Sequence, residues 1–86
     1  MIFEGKEIGD KLGDFCFEAL RLVKNGEKEK AYRLFNAYIE HLYKSKAVPN
    51  KGEAYLRAHS NFAWFTGYFT NEERKAILDV CNGNVN

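Results

Sequence analysis

The stretch Asn61-Phe-Ala-Trp-Phe-Thr-Gly-Tyr-Phe-Thr-Asn-Glu-Glu-Arg-Lys-Ala-Ile-Leu78 limits what this chain can become more than any other. Five of the eight residues from Phe62 to Phe69 are aromatic, and no proline interrupts the run that follows. Thr70, with Glu73 three residues on, has the form of a capping box: the threonine oxygen and the glutamate carboxylate each satisfy an amide left unpaired at a helix start. One helix therefore ends near Gly67 to Phe69 and another begins at Thr70. The aromatics fall at the corner between them, which makes that corner the expected centre of the core and of any binding surface.

Upstream, the spacing predicts three further segments. Residues 1–9 contain two glycines and few helix formers, and read as an arm that tucks Ile2 and Phe3 against the core. From 10 to 24, Leu12, Phe15, Cys16, Ala19, Leu22 and Val23 recur at helical spacing, leaving Phe17 and Leu20 at the edge of the stripe. Asn25-Gly26 supplies a left-handed C-cap. A second helix runs from 27 to 46, with Tyr32, Phe35, Ile39, Leu42 and Tyr43 as its expected stripe, and so short a link makes 10–46 a helical hairpin. Its hinge looks like that of one tetratricopeptide repeat, but no second copy follows. Residues 47–52, with Pro49 and turn chemistry from Asn50 to Gly52, read as a linker. Residues 53–81 form the second hairpin, with Ala54, Tyr55, Ala58, Phe62 and Phe65 on the inner face of its first helix, and 82–86 is a fraying tail. The fold expected is all-α: one small four-helix domain built from two helical hairpins.

Charge narrows the function classes. The formal net charge is +1, with nine Lys and Arg against eight Asp and Glu in residues 1–46 and four against four in 47–86. A non-specific nucleic-acid binder needs a basic surplus to displace counterions, so this even mixture disfavours nucleic acid. No apolar run reaches the ~18 residues of a membrane span, and the first residues lack the apolar run of a signal peptide, so the expected setting is cytoplasmic, with no membrane partner. Cys16 and Cys81, far apart and without CxxC spacing, read as small buried hydrophobes of a reducing compartment.

The chemistry of catalysis is not spelled out by the sequence. His41 and His59 sit on different helices without the ligand spacings of a zinc site, so no metal and no cofactor is expected. His59-Ser60 are neighbours on a helix and diverge by about 100°, too far for a nucleophile and its base. Carboxylates alternate with lysines in Glu27-Lys28-Glu29-Lys30 and in Glu72-Glu73-Arg74-Lys75, the pattern of solvated helix surface. The expectation is a protein that is not an enzyme.

What the sequence does offer is a surplus of large apolar side chains. Trp64 and Tyr68 lie about 100° or more from the Phe62 and Phe65 face of their helix, with Arg57 two turns before Trp64 on the same side. Leu34 and Tyr38, with His41 beside them, lie off the centre of the second helix's expected stripe. Trp, Tyr and Arg dominate binding hot spots. The candidate partner-binding set is therefore Trp64, Tyr68, Arg57, Leu34, Tyr38 and His41, serving a protein partner, a further copy of the chain, or both. A rival reading is an oligomeric sequesterer of a nucleotide-type ligand, with Tyr55, Trp64 and Tyr68 stacking on a base and Arg57, Lys51 or Arg74 holding a phosphate.

The segment from Asn61 to Ile77 also resembles a box found in small uncharacterised helical proteins of bacteriophages and prophages: Asn, aliphatic, small, two aromatics, small, Gly-Tyr-aromatic, then an acidic residue, Arg and an aliphatic. The likeness covers about a fifth of the chain. Those proteins continue into a His-Pro and Phe-Gly tail that this sequence lacks. The resemblance implies a phage-type protein acting in the host cytoplasm as an inhibitor of a host protein, and implies no enzymatic activity.

Overall fold

The computed structural model describes all residues from Met1 to Asn86. The chain opens with two short antiparallel strands, β1 (Ile2–Phe3) and β2 (Lys6–Glu7), and continues through α1 (Leu12–Lys24), α2 (Lys28–Lys44), α3 (Lys51–Phe65), a 3-10 turn (Thr66–Tyr68) and α4 (Asn71–Cys81). This is an all-α four-helix domain with a two-stranded appendage, and no helix is long and apolar enough to cross a membrane.

Local chemistry sets the boundaries. Three helices end in the same way, with the residue after the C-cap in the left-handed region and two amides turned back on the last carbonyls. At the end of α1 the residue is Gly26 (φ 77°), and the Glu27 amide donates to the Leu22 carbonyl at 2.8 Å. At the end of α4 it is Gly83 (φ 90°), with the Asn84 amide on the Asp79 carbonyl at 2.9 Å. At the end of α2 it is Lys46 (φ 59°), and the Ala47 amide reaches the Leu42 carbonyl at 3.2 Å. Helix α3 starts two residues before the expected Glu53, because the Asn50 side chain accepts the Glu53 amide at 2.9 Å and acts as the N-cap. At α4 the Thr70 hydroxyl accepts the Glu73 amide at 3.1 Å while the Glu73 carboxylate accepts the Thr70 amide at 3.0 Å, the reciprocal pair foreseen from the sequence.

The N-terminal arm is a β-hairpin. Glu4 and Gly5 both have positive φ (47° and 84°), the two-residue turn whose twist suits flanking strands. Strand alternation then sends Phe3 into the core and Ile2 out to solvent. Ion pairs hold the hairpin across two helices: Glu4 with Arg33 of α2 at 2.7 Å, and Lys6 with Glu18 of α1 at 3.0 Å.

Helix α2 is central, packing against α1, α3 and α4. Its buried residues are Ala31, Leu34, Phe35, Tyr38 and Ile39, so the buried arc is rotated from the expected stripe, and Tyr32 and Tyr43 lie at its exposed margins. A helix with neighbours on several sides buries a wide arc, and one chosen as a single narrow stripe is easily misplaced. Fully buried Phe15, Phe35 and Phe62 come from three different helices. Phe35 meets Phe62 edge-on at 5.0 Å between centroids, and Tyr38 bridges Phe15 (4.7 Å) and Phe62 (5.4 Å). The Asn61 amide donates to the Tyr38 hydroxyl at 2.9 Å, which satisfies the one polar atom in this aromatic chain.

Lys46, like Glu4 in the hairpin turn, is a non-glycine residue held in the left-handed region. An L-residue in the left-handed region costs about 1–2 kcal/mol, partly offset by its lower entropy when unfolded. Lys46→Gly is therefore expected to raise stability by about 0.5–1 kcal/mol. Urea denaturation followed by circular dichroism measures this, and a lower midpoint for the glycine variant would contradict the assignment of strain.

Candidate functional site

Three aromatic side chains are more than half exposed and lie together: Phe17 of α1 (58%), Trp64 of α3 (64%) and Tyr68 of the 3-10 turn (72%). Half-buried Phe65 and Phe69 lie beneath them and join them to the core. Phe17 meets Phe65 at 5.6 Å and Phe69 at 5.4 Å, both edge-on, while Tyr68 meets Trp64 at 5.7 Å and Phe65 at 5.6 Å. The five rings form one continuous ridge.

Each ring is placed by a local cause. Phe62 and Phe65 take the inward arc of α3, which turns Trp64 outward. Buried Thr66 donates its hydroxyl to the Phe62 carbonyl at 2.7 Å, and the tight turn that follows sets Tyr68 beside Trp64 before Thr70 starts α4. Gly13 lets α1 come close, since a methyl group there would lie 3.2 Å from the tip of Phe65. Phe17, one turn further along α1, then reaches the ridge.

The structure divides the six candidate binding residues. Trp64, Tyr68 and Arg57 are exposed on the outward side of α3 and its turn, and Arg57 has no ion-pair partner. Leu34 and Tyr38 are core residues, 0% and 3% exposed, so their assignment to a surface flank is corrected. They belong to the wide buried arc of α2. His41 is half-buried against Tyr38 and Phe15 and lines a separate depression with Met1, Ala37, Glu40, Lys44 and Ser45, none of which touches the ridge. The residue the candidate set lacked is Phe17, which helical spacing leaves at the edge of the α1 stripe and so, with Leu20, among the surplus apolar side chains.

One subunit does not assemble the residues of the nucleotide reading. Tyr55 lies against His59 at 4.4 Å, Lys51 is paired with Glu40 at 2.9 Å, and Arg74 reaches the Ala63 carbonyl at 3.5 Å. Trp64 and Tyr68 stand at 84° to each other, a convex edge without the parallel walls that would hold a base.

Beside Phe17 lies an open groove of about 320 Å³ between the hairpin and α1, with Ile8 and Gly9 at its base and Glu7, Asp14, Glu18, Lys6 and Arg21 around it. Glu18 is buried and takes hydrogen bonds from Arg21 (2.6 and 2.9 Å) and Lys6 (3.1 Å), which hold its carboxyl at about 2 despite the opposing effect of burial. Cys16 and Cys81 are free and buried, and burial pushes both thiols up to about 12, far from the thiolate that nucleophilic chemistry requires. His59 packs edge-on against Phe35 at 4.8 Å, its Nε2 is buried without a hydrogen-bond partner, and burial lowers its pKa from 6.5.

Comparison with protein-family models, with curated proteins and with solved structures finds no match to this chain.

These groups set the response to acid. The folded state holds His59 neutral, so the unfolded chain takes up its proton first, and stability falls as pH drops through 6.5. A second loss follows below 4.5, the ordinary carboxyl value, where unfolded Glu18 is protonated while folded Glu18 resists until about 2; Glu4, Glu40 and Glu73, each lowered by its cation, act in the same direction. Urea midpoints measured across pH should show both losses. His59→Phe should remove the upper one and leave the lower, and an unchanged profile in that variant would contradict the role given to His59.

Proposed function

We propose that this chain is a non-enzymatic interaction module that binds protein through the ridge of Phe17, Trp64 and Tyr68, with Arg57 as its charged flank. The reading is carried by one observation: three large aromatic side chains, each more than half exposed, are joined through half-buried Phe65, which touches all three. At roughly 200–250 Å² for each whole side chain, the exposed fractions leave about 400 Å² of aromatic surface, in the range where the largest patch on a monomer is often functional. The chain is not loosely folded elsewhere. Its accessible surface of 5243 Å² is close to the roughly 5,200 Å² expected for a compact monomer of 9.9 kDa.

A convex aromatic edge suits binding by occlusion: Trp64 and Tyr68 fill a depression in the partner while Arg57 meets an acidic group at its rim. The resemblance of Asn61 to Ile77 to phage and prophage proteins adds a setting to this reading, in which the occluded surface belongs to a host protein in the host cytoplasm. No further chemistry is required of the chain.

Trp64 is the only tryptophan, so its emission and its quenching by acrylamide report on the ridge directly. In the monomer the indole should be readily quenched, and on complex formation it should be shielded. Trp64→Ala with Tyr68→Ala should leave helical circular dichroism and the urea midpoint close to wild type, while weakening association by about 30-fold or more, since an anchor residue contributes at least ~2 kcal/mol. Loss of folding in the double variant would show the two side chains to be structural, and unchanged association would remove the ridge from any role in binding.

A further inference from the structure

The N-terminal arm, residues 1–9, is fastened to the helices differently from any other segment. Its two strands pair with each other, and the Ile8 amide donates to the Met1 carbonyl at 2.7 Å, which closes the arm on itself. An isolated two-stranded hairpin is marginal in water, so this one persists through what it touches. No backbone hydrogen bond links the arm to a helix, and neither strand packs along one. Only Phe3 and Ile8 of the arm are buried. Two ion pairs do the rest: Glu4 takes both Arg33 nitrogens of α2 at 2.7 and 3.2 Å, and Lys6 reaches Glu18 of α1 at 3.0 Å. The arm thus lies across α1 and α2, with one charged clasp on each helix and two apolar side chains beneath. We infer that residues 1–9 are a releasable lid, which opens as a unit while the four helices stay folded, and whose opening is set by ionic strength.

The helices do not need the arm to hold their own contacts. The rings of Phe15, Phe35, Tyr38 and Phe62 touch one another without it. Helix α1 is capped from within, since the Asp14 carboxylate accepts the Lys11 amide at 3.1 Å, and Glu18 keeps its two hydrogen bonds from Arg21 when Lys6 leaves. Gly9 is the hinge between the two parts. It is exposed, and a side chain there would collide with the Asp14 carboxylate, so only glycine lets the arm turn this close to the start of α1. Ordering the arm costs backbone entropy at every residue, whereas two side chains supply its buried apolar surface. Openings of lowest free energy fall where buried apolar contacts are fewest. Arg33 and Lys6 are each about half exposed, and salt screens charges in such positions, the screening length falling from about 10 Å at 0.1 M to about 3 Å at 1 M. What the lid uncovers is the apolar seat of Phe3 and Ile8. Ile8 lines one groove with Phe17, so that seat adjoins the ridge, yet neither side chain belongs to it and the opening does not depend on what the ridge binds.

Amide hydrogen exchange followed by NMR on the full chain tests the lid, with circular dichroism confirming that each variant is folded. The Ile8 amide reports on the arm, and the slowest amides of α2 report on global unfolding. Ile8 should exchange at least ~100-fold faster than those helical amides. Raising NaCl from about 0.05 M to about 1 M should speed Ile8 exchange by about threefold or more and leave the slowest α2 amides no faster. Glu4→Arg, at an exposed turn position, should speed Ile8 exchange by about fivefold. Combining it with Arg33→Glu should return exchange toward the wild-type rate, because reversing both partners restores the clasp on α2. An Ile8 amide that exchanges together with the slowest α2 amides would make the arm part of the single cooperative fold and overturn the lid. Exchange indifferent to salt, or a double charge reversal that recovers nothing, would overturn it equally, since the ion pairs would then not be what holds the arm down.

Discussion

The aromatic chain Phe15, Tyr38, Phe62 and Phe35 is the interaction on which the rest of the molecule depends. Each ring comes from α1, α2 or α3, and all are buried, so three helices are fixed in register by one set of contacts. Truncating a buried Phe costs about 3–5 kcal/mol, against a total stability of ~5–15 kcal/mol for a domain. The hydroxyl of Tyr38 is the one group that makes this chain polar, and Asn61 answers it. Without that bond a buried hydroxyl would cost ~1–3 kcal/mol, so Asn61 matters to the fold although it stands outside the apolar stripe.

The position of the ridge follows from that chain of rings by helix geometry. Once Phe62 points into the core, Trp64 is rotated by about 200° and must face outward. Phe65, one residue further on, returns to the margin of the core, where Gly13 makes space for it. The turn between α3 and α4 completes the arrangement. Buried Thr66 holds the end of α3, and the reciprocal hydrogen bonds of Thr70 and Glu73 start α4, with Lys24 of α1 tied to Glu73 at 2.6 Å. Tyr68 and Phe69 are fixed between two caps rather than carried on a loose loop.

Where the sequence spoke through hydrogen-bonding chemistry, it was legible. Asn25-Gly26 and Asn82-Gly83 ended helices as expected, and the Thr70 and Glu73 pair started one, because a left-handed glycine and a capping side chain leave a local signature. The outward placement of Trp64 and Tyr68 was legible for a similar reason, since rotation along one helix needs no knowledge of its neighbours. What depended on neighbours was not. The arc of α2 that holds Leu34 and Tyr38 is set by contact with three other helices, and Tyr55, placed inward by periodicity, is exposed beside His59. Asn50 read as part of a linker although it caps α3, because turn residues and N-cap residues are the same types. The hairpin at the N-terminus has strands of two residues each, too short for alternation to register, and a Glu in the left-handed region at its turn.

Rigidity decides what kind of binding such a ridge supports. Aromatic side chains carry few rotatable bonds, and here Phe17 and Trp64 rest edge-on, and Tyr68 at a tilt, against rings that are themselves half-buried. Association costs about 0.5–1.5 kcal/mol for each flexible side chain that must be immobilised, and Trp64, Phe17 and Tyr68 are already constrained before any partner arrives. The same edge-to-face packing that holds them removes the parallel slot a planar ligand would enter. A ridge of this shape suits a recess rather than a slot, with Arg57, unpaired within the chain, set to meet an acidic group at its rim.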